Sequence, residues 1–369
     1  MQPDVKTPAE PAHFEGRDLV ITGYEEAALV LRSSSVWSSN PDNVLDPVLE
    51  FTEPDTLAAN LVLKDPPEHT RLRSLFNSSF LPRAIERLRP RVISIVDAVL
   101  DGLQDGDEAD IATDVGFVVA LSVMAELFDV GVEGAELFQQ EPTRLLRYLE
   151  INRTLEDFEI TLQSAATLTG FLRPLIEKRR REPGEDFLSA LAMTEGLSTA
   201  DILSATIVMF TAGGIATGAL IANSTLALLR QPEQIPALLA DPGLAAEELL
   251  RMEGTSKRLI RTALVDHDIG GHRIPKGRVV LVNLPAANRD LRLAPDADRM
   301  DLSRKPLPHL TFGVGPHYCL GAAITRLELI ETLVRLFTRF PDLSLTSREP
   351  VWLPSMTFRW LLELPVRLR

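Results

Sequence analysis

A charge-free run of 28 residues, from Ile202 to Leu229, constrains the fold of this chain more than any other feature. A run of that length is typical of a membrane-spanning helix, a buried core helix, or a helix that touches a buried apolar group. Three glycines lie in its middle, and each costs about 1 kcal/mol relative to alanine inside a helix. Its polar side chains are Ser204, Thr206, Thr211, Thr217, Asn223, Ser224 and Thr225. Since no basic cluster marks one flank as cytoplasmic, we expect a core helix and not a membrane span.

Composition indicates an ordinary soluble protein. The chain has 369 residues, of which 45% are hydrophobic and 24% charged, and a net charge of −14. That charge argues against binding to nucleic acid or to an anionic membrane. The polar, Pro-rich start from Met1 to Gly16 lacks the apolar core of a signal peptide. We expect a cytoplasmic monomer, and since no linker is apparent, a single domain over residues 1–369.

Helical patterns dominate the chain. Apolar residues at three- and four-residue spacing predict helices over Pro82–Leu103 and Ser164–Arg181. Strand patterns are few: "DLVITG" from Asp18, a turn-rich hairpin feeding a strand over Asp268–Leu284, and the C-terminal "VWLPSMTFRWLLELPVRLR". The predicted fold class is therefore mainly α, with small sheets at one side.

The one cysteine, Cys319, follows a glycine-rich loop and precedes an amphipathic helix predicted over Gly321–Phe337. A single cysteine excludes an internal disulfide framework and a multi-cysteine metal site. At a helix N-terminus, unpaired N–H groups favour the thiolate, which is suited to binding haem iron. A lone cysteine is nevertheless more often an inert core residue, and Cys319 by itself favours that alternative.

The surroundings of the cysteine change this balance. The pattern Phe312-x-x-Gly315-x-His317-x-Cys319-x-Gly321 resembles the haem-binding loop of the cytochrome P450 family. The resemblance implies haem b as cofactor, with Cys319 as the axial ligand of its iron and Phe312 packed on the thiolate side. Gly313 and Gly315 then form the tight turn, and Gly321 lets the following helix approach the porphyrin. It covers the chain from about Leu19 to its end and implies a triangular, mainly helical fold around a buried haem.

Two further groups of residues match positions of this family. Glu248 and Arg251 lie three residues apart on one helical face, and the resemblance adds Arg299 to form a buried structural triad behind the cysteine loop. The haem propionates are buried carboxylates, which require charged hydrogen-bond donors. The resemblance implies four such donors, which are His69, Arg73, Arg261 and His309. His317 is a weaker fifth candidate.

The resemblance also accounts for the charge-free run. It implies that Ala212–Thr217 crosses the distal face of the haem, in a helix that opens locally above the iron, where small residues make room for porphyrin and dioxygen. The family's usual pattern is Ala-Gly-x-acid-Thr, whose acid and alcohol help to deliver protons. This chain has Ile215 and Ala216 at those two places. Thr217 is one residue, or about 100°, further around the helix, so it cannot simply substitute.

Cys319, Ala212, Ala216 and Thr217 are the candidate catalytic positions, and the missing pair leaves two chemistries open. In one, a polar group on the substrate organises the water and the enzyme hydroxylates or epoxidises. In the other, the product arises by coupling, ring closure or desaturation without oxygen insertion, and the helix also resembles members that act on cyclic dipeptides. A third alternative is a haem-binding sensor, which requires a second strong axial ligand.

By family position, the substrate pocket is expected to be lined by the loop Leu57–Leu61, the helix around Leu149–Thr154, Phe210, Thr217, the segment Thr255–Leu259, and Met356 with Thr357. This lining suits a mid-sized, mostly apolar small molecule with a few polar groups. Electrons are expected from a separate ferredoxin or flavodoxin. Arg83, Arg87 and Arg91 are candidates for a basic docking patch, although a solvated helix face explains them equally well.

Overall fold

A computed structural model describes residues 10–16, 18–40, 43, 61–76, 80, 82–103, 108–145, 147 and 154–369. Within these ranges helices dominate, as predicted. The α-helices are α1 (Tyr24–Arg32), α2 (Glu68–Phe76), α3 (Pro82–Glu86), α4 (Arg89–Asp101), α5 (Phe117–Phe128), α6 (Gly131–Gln140), α7 (Pro142–Leu145), α8 (Leu155–Arg181), α9 (Phe187–Ala192), α10 (Thr199–Arg230), α11 (Ile235–Ala240), α12 (Pro242–Glu253), α13 (Leu284–Ala287) and α14 (Ala322–Arg339).

The strands form small sheets. They are β1 (Ala12–Glu15), β2 (Asp18–Ile21), β3 (Trp37–Ser38), β4 (Glu108–Asp110), β5 (Arg258–Ala263), β6 (His267–Ile269), β7 (His272–Ile274), β8 (Val279–Asn283), β9 (Ser344–Leu345), β10 (Val351–Trp352), β11 (Leu361–Glu363) and β12 (Pro365–Arg367). The largest sheet has the order β1-β2-β8-β5-β3, in which only β2 and β8 pair in parallel. A second sheet has the order β4-β12-β9, and β6–β7 and β10–β11 are separate pairs.

The charge-free run forms the middle of α10, which is the central helix of the core. A capping box starts the helix, because the Ser198 hydroxyl accepts the Asp201 N–H and the Asp201 carboxylate accepts the Ser198 N–H. Two segments, Ile111–Phe128 and α10, are long and apolar enough to cross a membrane. Their most apolar windows are 61% and 67% buried inside the protein, as expected of core helices.

The expectation that α10 opens locally over Ala212–Thr217 is wrong, because the helix is α-helical without a break from Thr199 to Arg230. Its glycines serve another purpose, which is to let α5 cross closely. A Cβ added at Gly213 would lie 2.8 Å from the Met124 sulfur, and one added at Gly218 would lie 2.7 Å from the Phe117 ring. The small residues therefore bring two helices together and do not interrupt either of them.

Most element predictions hold, with one subdivision. The predicted helix Pro82–Leu103 is two helices, α3 and α4, since the chain turns before Arg89 and Pro90 occupies the first turn of α4. The predicted helix Ser164–Arg181 is the C-terminal part of α8, and the hairpin over Asp268–Leu284 is β6 and β7 followed by β8. The predicted helix after the cysteine is α14.

Candidate haem site

The cysteine loop is a tight turn fixed by backbone contacts. The Cys319 N–H donates to the Phe312 carbonyl at 2.8 Å, which closes the loop. Gly313 and Gly315 have φ values of +66° and +78°, in the left-handed region that favours glycine. Gly315 also has no room for a side chain, because an added Cβ would lie 2.9 Å from the Leu31 carbonyl at the end of α1. The end of α1 therefore supports the loop from outside.

Cys319 is half-buried just before the N-terminus of α14. Burial raises the pKa of its thiol, whereas the Gly321 N–H and the guanidinium groups of Arg73 and Arg326 act in the opposite direction. These donors favour the thiolate but do not offset its burial, so a cation bound at sulfur would complete its stabilisation.

Four cationic or ionisable side chains converge beside the loop: His69, Arg73, Arg261 and His317. The ring centroids of His69 and His317 are 4.1 Å apart, and both nitrogens of His69 are buried and have no hydrogen-bond partner among the described residues. Burial lowers the pKa of Arg261 to about 10. Burial, together with the charges of Arg261, His69 and Arg73, lowers the pKa of His317 to about 3.

These groups lack anionic partners of their own. Among the described residues, neither Arg73 nor Arg261 has an ion-pair partner, although Arg261 is only 8% exposed. The carboxylate of Asp65 interacts electrostatically with Arg261. It accepts hydrogen bonds from the Ser38 hydroxyl and the Ser39 N–H. A buried cation without a carboxylate is costly, so the buried guanidinium of Arg261 and the half-buried one of Arg73 fit a dianionic ligand such as the two propionates of haem, with the ring N–H groups of His69 and His317 as further donors.

His309, the other predicted donor to the propionates, makes a different contact in this structure, and its role as a donor stays a prediction. His309 Nε2 lies 3.2 Å from Glu247 Oε2, and Glu247 in turn accepts two hydrogen bonds from Arg326 at 2.5 and 3.0 Å. His309 is therefore committed to a separate cluster. The weaker candidate, His317, lies beside His69, Arg73 and Arg261. The loop fixes its position, because His317 comes two residues before the cysteine.

The structural triad forms, but with a different third member. Glu248 binds Arg251 through two hydrogen bonds of 2.8 Å, and both side chains are buried. Arg299 is exposed and contributes only its backbone carbonyl, 3.2 Å from Arg251 Nη2. The second cation is Arg304, whose Nε lies 3.1 Å from Glu248 Oε1. Both arginines follow α13 in irregular chain, so the sequence could not show which of them turns inward.

Helix α10 has an accessible stripe in its otherwise buried middle. Its members are Val208, Met209, Ala212, Gly213 and Ala216, at the three- and four-residue spacing of one helical face. Ala216, at the place of the family's threonine, is on this stripe. Ile215 is not, because it is 2% exposed and packs in an apolar cluster with Ala219 and Trp360.

Two predicted pocket residues do not reach this stripe. Thr217 is 1% exposed, and its hydroxyl lies 3.1 Å from the Thr325 hydroxyl on α14. Phe210 is completely buried and stacks on Phe138, with ring centroids 3.7 Å apart. Both predictions as pocket-lining residues are wrong, since each side chain turns into a contact between helices.

The remaining pocket predictions fall on two segments that the structure brings side by side. The Lys257 N–H donates to the Thr357 carbonyl at 2.8 Å, and the Arg359 N–H donates to the Thr255 carbonyl at 2.7 Å. Thr255 and Thr357 are buried, Leu259 is half-buried, and Met356 is 43% exposed. Residues 57–60 and 149–153 of the predicted lining lie outside the described residues.

No sequence pattern predicted a buried acid at Glu328, on α14. It is 1% exposed, and its Oε2 has no hydrogen-bond partner. Burial raises its pKa well above the ordinary value, which favours the neutral acid. It lies one helical turn beyond Thr325, and only the packing of α14 reveals that this face of the helix is interior.

Comparison with known proteins agrees with this geometry. A family model described as Cytochrome P450 matches residues 245–361. The 6-deoxyerythronolide B hydroxylase of Saccharopolyspora erythraea is 35% identical, and the alignment covers 98% of this chain and 93% of that protein. The chain therefore belongs to the cytochrome P450 family.

Solved structures show the same fold. P450BioI, crystallised with an acyl carrier protein bearing hexadec-9Z-enoic acid, has a TM-score of 0.90 and 32% identity, covering 97% of this chain and 95% of that one. CxnD, described as an enzyme for C–S bond formation in chuangxinmycin biosynthesis, has a TM-score of 0.87 and 30% identity, covering 97% and 91%. The predicted fold, the oxidoreductase class and the cofactor, haem b with an axial cysteine thiolate, are confirmed.

Proposed function

We propose that this protein is a monooxygenase that oxidises a mid-sized, mostly apolar, natural-product-like molecule. In this proposal Cys319 is the axial haem ligand, and the group formed by His69, Arg73, Arg261 and His317 receives the propionates. The observation that carries it is the group of two arginines and two histidines beside the chain's one cysteine, in which neither arginine has an ion-pair partner among the described residues. When bound, haem supplies the activation of dioxygen.

The accessible stripe supports the substrate class. Every side chain on it is small or apolar, from Val208 to Ala216. Ile260 on β5 and Met356 are large apolar side chains that are 39% and 43% exposed, next to segments that the family places around the pocket. An apolar wall of this kind suits a ligand held by shape, with few polar contacts.

The distal helix supports dependence on the substrate for proton delivery. Ile215 lies in an apolar cluster, the Ala216 side chain is a methyl group without a polar hydrogen, and the Thr217 hydroxyl forms a hydrogen bond with the Thr325 hydroxyl. Of the three positions, none presents a proton donor to the accessible stripe. We infer that a hydroxyl or other polar group of the substrate orients water there, as a helix hydroxyl otherwise would.

Electrons in this proposal come from a separate ferredoxin or flavodoxin, and the protein acts as a cytoplasmic monomer of one domain. Helices α3 and α4 pack against α14, the helix that follows the cysteine. Arg83 on α3 and Arg87 in the turn between the two helices are exposed, whereas Arg91 on α4 pairs with Glu126 at 2.8 Å. Arg83 and Arg87 are therefore better placed than Arg91 to attract an acidic partner.

Turnover in isotopically labelled dioxygen tests this function. A chemically reduced ferredoxin supplies electrons, the haem-loaded enzyme is offered a panel of neutral macrolactones, fatty acyl groups and aromatic cyclic dipeptides, and product mass is measured. The proposal predicts a product that carries one labelled oxygen atom. An unlabelled product that has lost two hydrogen atoms would contradict the proposal and would indicate oxidative coupling, ring closure or desaturation instead.

That second candidate has its own support. An enzyme that couples or desaturates has no need of the missing acid and alcohol, and CxnD is described as forming a C–S bond. Aromatic cyclic dipeptides are therefore kept in the panel. The sensor alternative has less support, because on the accessible stripe the nearest side chain able to bind iron is Met209, two helical turns or about 10 Å from Ala216.

A further inference from the structure

Behind the cysteine loop, Glu247 and Arg326 form a charge pair that neither the triad nor the propionate pocket uses. Arg326 is on α14, two helical turns after Cys319, and its Nε and Nη2 donate to Glu247 at 2.5 and 3.0 Å. His309 Nε2 lies 3.2 Å from the same carboxylate. The neighbouring residue, Glu248, points into the triad, so two consecutive acids on α12 serve different clusters.

One aromatic residue, Phe312, contacts both this pair and the cysteine. The Arg326 guanidinium carbon lies 4.7 Å from the centroid of the Phe312 ring, within the range of a cation–π contact. Phe312 is 9% exposed, and its carbonyl accepts the Cys319 N–H. Arg326 and Cys319 therefore both contact Phe312, and the electrostatic interaction between the guanidinium and the sulfur, which is larger in a partly buried site than in water, favours the thiolate.

Both members of the pair are charged near neutral pH. Burial acts to raise the pKa of Glu247, but the hydrogen bonds from His309 and Arg326 outweigh it and lower the value to about 2. Burial acts to lower the pKa of Arg326, but its contacts with Glu247 and Tyr318 raise it overall. The side chains are 28% and 30% exposed, so solvent screens part of their effect.

We propose that Arg326 and Glu247 are opposing charges that set the reduction potential of the haem through the Cys319 loop. This inference rests on the proposed role of Cys319 as the iron's ligand. Reduction adds one electron to the site, so a nearby cation favours the reduced form and a nearby anion opposes it. Glu247 therefore moderates a cation that would otherwise make the site easier to reduce.

Spectroelectrochemical titration of the haem-loaded protein tests the proposal. Arg326→Gln removes the cation and is expected to lower the reduction potential, whereas Glu247→Gln leaves the cation unopposed and is expected to raise it. Each shift should change the reduction equilibrium constant by about threefold to tenfold, and tenfold equals about 59 mV for a one-electron couple. The double variant should return towards the wild-type value.

Three controls separate charge from structure. Arg326→Lys keeps the cation but loses the paired geometry, and should stay near the wild-type potential. Arg273→Gln and Asp268→Asn break a matched pair of 3.0 Å on the exposed β6–β7 hairpin, and should not shift it. If Glu247→Gln does not retain haem, the comparison of Arg326→Gln with Arg326→Lys decides the question on its own.

The outcomes distinguish this inference from the function on which it rests. Shifts of opposite sign support the proposal. Shifts of the same sign, or none, in variants that keep the thiolate-type spectrum of the ferrous–CO adduct would overturn it while the role of Cys319 stands. Absence of that spectrum in the wild-type protein would instead overturn the proposed function.

Discussion

The cysteine loop and the distal helix follow the family pattern to very different degrees. In the loop, the glycines have the required backbone conformation, Phe312 closes the turn on Cys319, and His317 stands among the predicted propionate donors. In the helix, Ile215 and Ala216 replace the acid and alcohol, and the adjacent Thr217 faces away from the accessible stripe. The cysteine loop thus keeps the residues that the family pattern requires, whereas the helix predicted to cross the distal face has neither the acid nor the alcohol of that pattern.

The largest effect is expected at Cys319. Because no other cysteine exists in the chain, Cys319→Ser should abolish the red-shifted Soret band of the ferrous–CO adduct. Tyr318→Phe, at the adjacent exposed position, should keep the band and serves as the matched control. A band that persists in Cys319→Ser would show that the iron is held elsewhere and would remove the basis for calling the loop complete.

Loss of haem is the next largest effect. It distinguishes the predicted propionate group from the separate cluster that His309 forms with Glu247. Arg73→Ala or Arg261→Ala should release haem faster, because each removes a guanidinium, half-buried at Arg73 and buried at Arg261, that has no ion-pair partner among the described residues. His309→Ala should retain haem, since His309 contacts Glu247 and not the propionate pocket. Transfer of haem to apomyoglobin measures the rates. Equal release from all three variants would contradict this division.

A smaller effect on stability is expected where α10 crosses α5. Gly218→Ala places a Cβ 2.9 Å from the Gly116 carbonyl, a backbone atom that cannot easily move, and should cost about 1–3 kcal/mol. Gly213→Ala meets the flexible Met124 side chain and should cost less. Denaturant unfolding compares the two free energies of unfolding. The reverse order would mean that these glycines are not needed for close crossing.

Features that depend on backbone geometry were predictable from sequence patterns. Features that depend on the direction in which a side chain points were not. The loop around Cys319, the burial of α10 and the fold class were all predictable, because spacing and composition determine them. Arg304 could not be distinguished from Arg299, nor could the partner of His309 be foreseen, since these are contacts between distant segments.

The same limit applies to rotation and long-range packing in the helices. Helix geometry indicated that Thr217 could not replace a threonine at Ala216, but its burial against Thr325 was not foreseen, and Thr217 was wrongly predicted to line the pocket. The expected opening of α10 failed because the sequence could not show that α5 lies against its glycines. Glu328 and the Glu247–Arg326 pair likewise become visible only once α12 and α14 are packed.

The claim that the distal helix supplies no proton donor of its own is tested most directly at Ala216. Ala216→Thr restores a hydroxyl on the accessible stripe, and Thr217→Val, which alters only the contact with Thr325, is the control. The measurement is product formed per electron consumed, with hydrogen peroxide recorded in parallel. General acid assistance is typically worth about 10²–10⁴ in rate, so an enzyme lacking it through a defect should gain strongly. We predict that Ala216→Thr instead slows the native reaction and releases more peroxide, while Thr217→Val behaves like the wild type. Faster and better-coupled turnover in Ala216→Thr would contradict the account.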